Sequence, residues 1–243
     1  MKHFRLLAAA VALCSIASGA LAGQVTVTTG AGYVKMVDAL VALYEKDTGA
    51  HVDKAFGGNI GQMLSQVRES GRVNVVISDS ATLKRFEGQL AESEQKLGDT
   101  PLVLVWRKGI TLSSPSDIAG SNVRSIASPD PKAAVYGRSS QAWLKATGLG
   151  AKVADKLNIV STVPQVFSYV ATGNMDARFV NMAVLGKGRD KVGGHFEITD
   201  ESARVTMVVR PVKGFECDAD VQKFVKFLGG DAAKGVLAKF GVR

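Results

Sequence analysis

Two short glycine loops carry the chemistry this sequence can offer. Gly30-Ala31-Gly32 and Gly57-Gly58-Asn59 each follow a β-type stretch and each precede a helical apolar periodicity. Such a junction leaves the N–H groups of the first helical turn without intrahelical partners, and the positive end of the helix dipole lies among them. The chemistry on offer is capture of an anion by uncharged donors, with Gly32, Gly58 and Asn59 at the mouth. Glycines in these places also make tight strand-to-helix turns, and these residues alone leave both uses open.

Catalytic alternatives find little support. The first loop has G-x-G, but Lys35 stands where a dinucleotide fingerprint needs its third glycine. No phosphate-loop G-x-x-x-x-G-K-[ST] and no G-x-S-x-G elbow occurs. Beyond the N-terminal segment there is a single cysteine, Cys217, and the histidines His51 and His195 lack metal-ligand spacing. Asp190 and Glu197 flank His195 in a Gly- and Lys-rich stretch that reads as solvated surface loop. Lys187, Arg189 and Lys191 fall in the same stretch. The expectation is a protein that is not an enzyme, with no cofactor and no resident metal.

The elements that position the loops follow from periodicity. Val25 to Thr28 alternates as a strand, and Val34, Val37, Leu40, Val41 and Tyr44 mark one face of a helix closed by Lys46 and Gly49. A second strand, His51 to Phe56, leads through Gly57-Gly58 to a helix carrying Ile60, Met63, Leu64 and Val67. Asn74 to Ser78 and Leu102 to Trp106 read as buried strands. A second strand–helix series follows: a capped turn at Ser116-Asp117-Ile118, a strand at Val123 to Ala127, and a helix through Tyr136, Trp143 and Leu144. It continues with a short strand at Ile159-Val160, a helix opened by Pro164 and a strand at Ala177 to Val180. Thr206 to Val209 is a further strand, and two amphipathic helices close the chain.

This alternation predicts an α/β fold of two lobes, each a mostly parallel sheet flanked by helices, joined by two hinge crossings. The first lobe is expected at 23–106 plus 200–243 and the second at 107–199. Residues 1–22 read as an export signal peptide: Lys2 and Arg5, then an apolar run to Ile16, then Ala20-Leu21-Ala22 before Gly23. Cys14 follows Leu13, not the small residue that precedes a lipidated cysteine. Removing the leader takes the formal charge of +8 to about +6. The basic residues are scattered without interleaved aromatics, which argues against nucleic acid and for a surface that concentrates small anions.

Taken together, these residues resemble the periplasmic molybdate-binding protein family, the soluble receptors of oxyanion ABC importers. The stretches that carry the likeness are VTVTTGAGYVKMVDALVALYEKDTGAHVD, FGGNIGQMLSQVRESGRVNVVISDS, IASPDPKAAVYGRSSQAWLKATGL and VSTVPQVFSYVATGNMDARFVN. The resemblance implies a periplasmic, monomeric two-lobed receptor that closes on a tetrahedral oxyanion and hands it to an inner-membrane ABC permease. Any metal would be carried as its oxyanion. The family holds its guest with hydroxyls and backbone N–H groups, which places Gly32, Gly58, Asn59, Ala133, Ala134, Val163 and Asn181 at the site. Three matched hydroxyl positions have changed: two family serines are Gly32 and Asn59 here, and a family tyrosine is Asn181. The loop after Pro131 is a residue shorter, so Ala133 and Ala134 both stand as donors. An asparagine also carries an acceptor oxygen, which suits a protonated or organic anion better than a bare oxyanion. Within the same fold, a sulfate-like or organic anion, or a sensing module for a membrane receptor, are the alternatives.

Overall fold

The computed structural model describes residues 24–56, 69–160 and 173–243, together with Gly61, Leu64 and Val67. The leader, Gly57, Gly58, Asn59 and the segment with Val163 and Pro164 lie outside the described residues.

The described chain builds two five-stranded sheets. The first holds β1 (Val25–Thr29), β2 (Val52–Lys54), β3 (Val75–Asp79), β4 (Gln95–Thr100) and β10 (Val205–Pro211), in the order β2-β1-β3-β10-β4. The second holds β5 (Leu102–Trp106), β6 (Ile126–Pro129), β7 (Leu157–Val160), β8 (Ala177–Val180) and β9 (Gly194–Ile198), in the order β7-β6-β8-β5-β9. In each sheet three parallel strands are followed by two antiparallel pairings. Each sheet is therefore mostly parallel, as expected: four strands share one direction, and one, β10 in the first sheet and β5 in the second, runs against them. The two layouts match strand for strand, although no internal repeat is visible in the sequence.

β5 belongs to the second sheet, where it lies between β8 and β9. A boundary after Trp106 would leave this strand in the first lobe. The chain instead passes between sheets at Pro101, directly after β4, and returns between β9 and β10. The wholly apolar LVLVW run of β5 marks burial, and burial alone does not say which sheet a strand joins.

The four longer described helices expected from periodicity form where it puts them, and three single α-helical turns come in addition. α1 (Val34–Thr48) buries Met36, Val37, Leu40, Val41 and Tyr44, and Gly49 ends it with φ 72° and an N–H bonded to the Glu45 carbonyl. α2 (Ser80–Leu83) is one turn capped by Asp79, and α3 (Val135–Ala146) follows β6. α4 (Gly150–Val153) and α5 (Met182–Leu185) are single turns. α6 (Ala219–Leu228) and α7 (Asp231–Lys239) return the tail to the first sheet, where Tyr44 of α1 meets Phe224 and Phe227 edge-on at 5.0 and 5.1 Å. The last residue completes the return: Arg243 exchanges both backbone hydrogen bonds with Asp99, and a Cβ on Gly98 would stand 2.7 Å from the Arg243 carbonyl.

α3 is tied to both inter-sheet crossings. Ser139 Oγ donates to the Ala203 carbonyl at 2.5 Å, beside the returning crossing. Tyr136 Oη makes a long contact of 3.4 Å with Thr100 Oγ1 at the outgoing one. A Cβ on Gly137 would lie 2.3 Å from the Pro129 carbonyl, so the first turn of α3 approaches the end of β6 as only glycine allows. Among the described residues no helix is long and apolar enough to cross a membrane.

Candidate functional site

The middle strands of both sheets point their carboxyl ends at one another, where open α/β sheets take ligands. β1 runs into the 3-10 turn Ala31–Tyr33, β3 into α2, β6 into the Asp130–Ala134 turn, and β8 into Asn181. Contacts between the lobes connect these ends. Asn181 Nδ2 donates to the Gly32 carbonyl at 3.2 Å. Arg138 of α3 lies 3.6 Å from the Asp79 carboxylate and also bonds the Thr82 hydroxyl of α2. The rings of Tyr33 and Tyr136 meet at 6.0 Å between centroids.

Asn181 is buried, and its amide has two jobs. Its Oδ1 accepts from the Val184 N–H at 2.7 Å and caps α5. Its Nδ2 is turned the other way, to Gly32. The acceptor that sequence reasoning assigns to ligand choice is therefore occupied, and only the donor end faces the loop of the first lobe.

The expectation at Ala133 and Ala134 needs correction in the same way. Both N–H groups donate to the Asp130 carbonyl, at 3.1 and 2.8 Å, and Ala134 is the N-cap of α3. A helix leaves its next N–H groups open, which shifts the available donors to Val135 and Tyr136. Gly32 sits in the turn before α1, half-buried. Gly58, Asn59 and Val163 lie outside the described residues.

The structure adds two residues that the sequence analysis does not place at the site. Tyr33 and Tyr136 are both buried in the seam between the lobes, near Asn181 and Thr100. Burial pushes the Tyr33 hydroxyl well above the ordinary tyrosine range, and the neighbouring Tyr136 and Asp79 add to the rise. Burial likewise lifts the Tyr136 hydroxyl to about 12. Both stay protonated and neutral through the physiological range. The nearest charges, Asp79 and Arg138, face each other. Among the described residues the seam thus presents uncharged hydroxyl and amide groups from Tyr33, Tyr136 and Asn181, and the Asp79 carboxylate beside it is opposed by the Arg138 guanidinium.

The rejected catalytic groupings stay dispersed. His195 lies not in a loop but in edge strand β9, and Glu197 of the same strand is 3.7 Å from Arg243. Two glycines of this stretch answer to close neighbours: a Cβ on Gly194 would fall 2.3 Å from the Trp106 indole, and one on Gly193 2.4 Å from the Arg107 carbonyl. Cys217 is free and exposed. Among the described residues no group of three His, Cys, Asp or Glu side chains could hold a metal.

Residues 25–243 match the family model described as bacterial extracellular solute-binding protein. The chain belongs to that family. It is a solute-binding protein and not an enzyme. Its sequence is 27% identical over 184 residues to the molybdate-binding protein ModA of Azotobacter vinelandii, covering 74% of this chain and 73% of the relative. The solved periplasmic molybdate-binding protein of Azotobacter vinelandii superposes with a TM-score of 0.78 at 22% identity, over 90% of this chain and 99% of that one. PEB3 of Campylobacter jejuni, solved with L-phospholactate bound, gives a TM-score of 0.72 at 16% identity, over 90% and 99%. Both superpositions show the two-lobed periplasmic binding protein fold.

Proposed function

We propose that this solute-binding protein is exported, captures a tetrahedral oxyanion of the molybdate or tungstate kind between its lobes, and delivers it to a membrane ABC permease. The observation that carries the reading is the orientation of Asn181. With Oδ1 held by the Val184 N–H and one Nδ2 hydrogen given to the Gly32 carbonyl, the second amide hydrogen is the donor it has left for the site. The open N–H groups at the start of α3 are donors as well. A site of this kind suits a guest whose oxygens only accept, which a fully deprotonated oxyanion provides and a hydrogen phosphate does not. Gly32, Gly58, Asn59, Val163 and Asn181 remain the proposed ligand shell, with Val135 and Tyr136 supplying backbone donors. The sequence likeness to a protein named for molybdate binding supports the same guest.

A second reading is an organic anion longer than an oxyanion. It draws on a cavity of about 430 Å³ on the flank of the seam, lined by Lys84, Arg138, Arg204 and the hydroxyl-bearing Ser80, Ser139 and Thr206. A carboxylate or phosphate tail could extend there. The structural neighbour with L-phospholactate bound makes such a guest worth testing.

Thermal shift separates the two readings. Molybdate or tungstate at a hundred times its dissociation constant should stabilise the protein by about 2.7 kcal/mol. For a chain of this size that is a rise of about 5–11 °C in melting temperature. Sulfate, phosphate and phosphorylated or plain hydroxy acids complete the panel. A shift with the hydroxy acids alone selects the second reading, and no shift with any oxyanion rejects the first.

A further inference from the structure

Tyr33 carries a buried hydroxyl that the fold does not use. Its residue is 4% exposed, and its oxygen has no hydrogen-bond partner among the described residues. The Tyr136 hydroxyl is close enough to interact with it, but the pair falls outside the geometry of a well-formed hydrogen bond. Leaving a buried hydroxyl unpaired is destabilising, whereas a phenylalanine would have filled the same place without that penalty.

The location of this hydroxyl gives it a use. Tyr33 follows Gly32 directly and ends the turn that opens α1, so it lies on the first proposed anion loop. Its ring meets Tyr136 from the other lobe, and its electrostatic neighbours are Tyr136, Asp79 and Arg138, all at the seam. We propose that the Tyr33 hydroxyl donates a hydrogen bond to the captured oxyanion and replaces one of the hydroxyls lost at Gly32, Asn59 and Asn181. The inference rests on the oxyanion reading and names a donor for it. A neutral phenol suits this role, because it donates to an oxygen without adding a charge that would need its own counter-ion. Its raised pKa keeps the proton in place at neutral and alkaline pH.

The test uses the full chain and its Tyr33→Phe variant, titrated calorimetrically with molybdate and with tungstate and melted without ligand. A hydrogen bond to a charged group predicts that Tyr33→Phe weakens both anions about 10- to 100-fold. Because no protein partner is lost, the unliganded variant should melt at or above the wild-type temperature. Binding within twofold of wild type would overturn the inference and leave the oxyanion reading intact. Weaker binding accompanied by a lower unliganded melting temperature would assign Tyr33 a structural role and also overturn it. Failure of the wild-type protein to bind either anion would reject the oxyanion reading and the inference with it.

Discussion

Asn181→Asp is expected to abolish oxyanion binding while leaving the helix it caps in place. Aspartate caps a helix about as well as asparagine, so its oxygen can still accept from the Val184 N–H. What changes is the other end of the side chain. The Nδ2 donor that reaches Gly32 becomes a second carboxylate oxygen, set against a carbonyl on one side and the proposed anion on the other. Loss of a donor and like-charge repulsion act together in a buried place, where charges are weakly screened. Affinity for molybdate should fall at least about 100-fold, equivalent to about 2.7 kcal/mol. Asn181→Ala separates the contributions. It removes the cap, which costs about 1 kcal/mol of stability, and removes the donor without adding charge, so its binding loss should be smaller. Calorimetric titration with a parallel melt reads both. Equal affinities in wild type and Asn181→Asp would take Asn181 out of the site.

The largest expected loss of stability lies at the opposite end of the same strand. Asp176, buried just before β8, accepts from Arg107 Nε at 2.7 Å and from the Arg124 N–H at 2.7 Å. Its own N–H donates to Ser125 Oγ, and its carbonyl accepts from the Arg107 N–H. One residue thereby holds the end of β5, the approach to β6 and the start of β8. Burial pushes the carboxyl pKa up, but the bonds from Arg124 and Arg107 outweigh it and hold the group below the ordinary carboxylate range. Asp176→Asn removes the charge from a desolvated ion pair and should cost about 3 kcal/mol, read as a lower denaturant midpoint at pH 7. The pH dependence has a definite sign. A depressed carboxyl contributes its full stability above its unfolded pKa and loses it as pH falls through the folded value. The gap between wild type and Asp176→Asn should therefore narrow in acid below about pH 4. A gap unchanged between pH 7 and pH 3 would contradict the ion-pair account. Oxyanion affinity at neutral pH should be unaltered, since Asp176 lies at the far end of β8 from Asn181.

Much of this architecture is legible in the sequence, because burial and periodicity are local properties. The α1 face, the apolar strands β3, β5 and β8, and the C-terminal helices all follow from apolar spacing. β4 is not, because QKLGDT has a single large apolar residue; its strand geometry comes from pairing with β10, a partner more than a hundred residues away. β9 has the composition of a loop because Gly194 and the glycine before it suggest exposure, when the indole of Trp106 is what lies over Gly194. Sheet membership of β5 is likewise a long-range matter that a uniform apolar run does not encode.

The candidate site is partly legible for the same reason. Glycine loops before helices announce open N–H groups, so Gly32 and its turn can be found from composition and order. The roles of Asn181, Ala133 and Ala134 depend on which of their polar atoms the fold already occupies, and that is decided by Val184, Gly32 and Asp130. Tyr33 and Tyr136 are hidden by their own chemistry: Tyr136 reads as a member of a helix face, Tyr33 draws no notice at the start of one, and only the contact between the lobes brings their rings together. A tyrosine directly after a glycine anion loop is the one signal available for Tyr33.

The central claim is that uncharged donors from both lobes enclose a desolvated oxyanion. Crystals grown with tungstate test it most directly, because the metal marks its own position by anomalous scattering. The account predicts one strong peak in the seam, with anion oxygens within about 3 Å of Asn181 Nδ2 and of the open N–H groups at the start of α3. A peak beside Lys84 and Arg204 on the flank, with none in the seam, would show that charge and not neutral hydrogen bonding holds the anion, and would contradict the account.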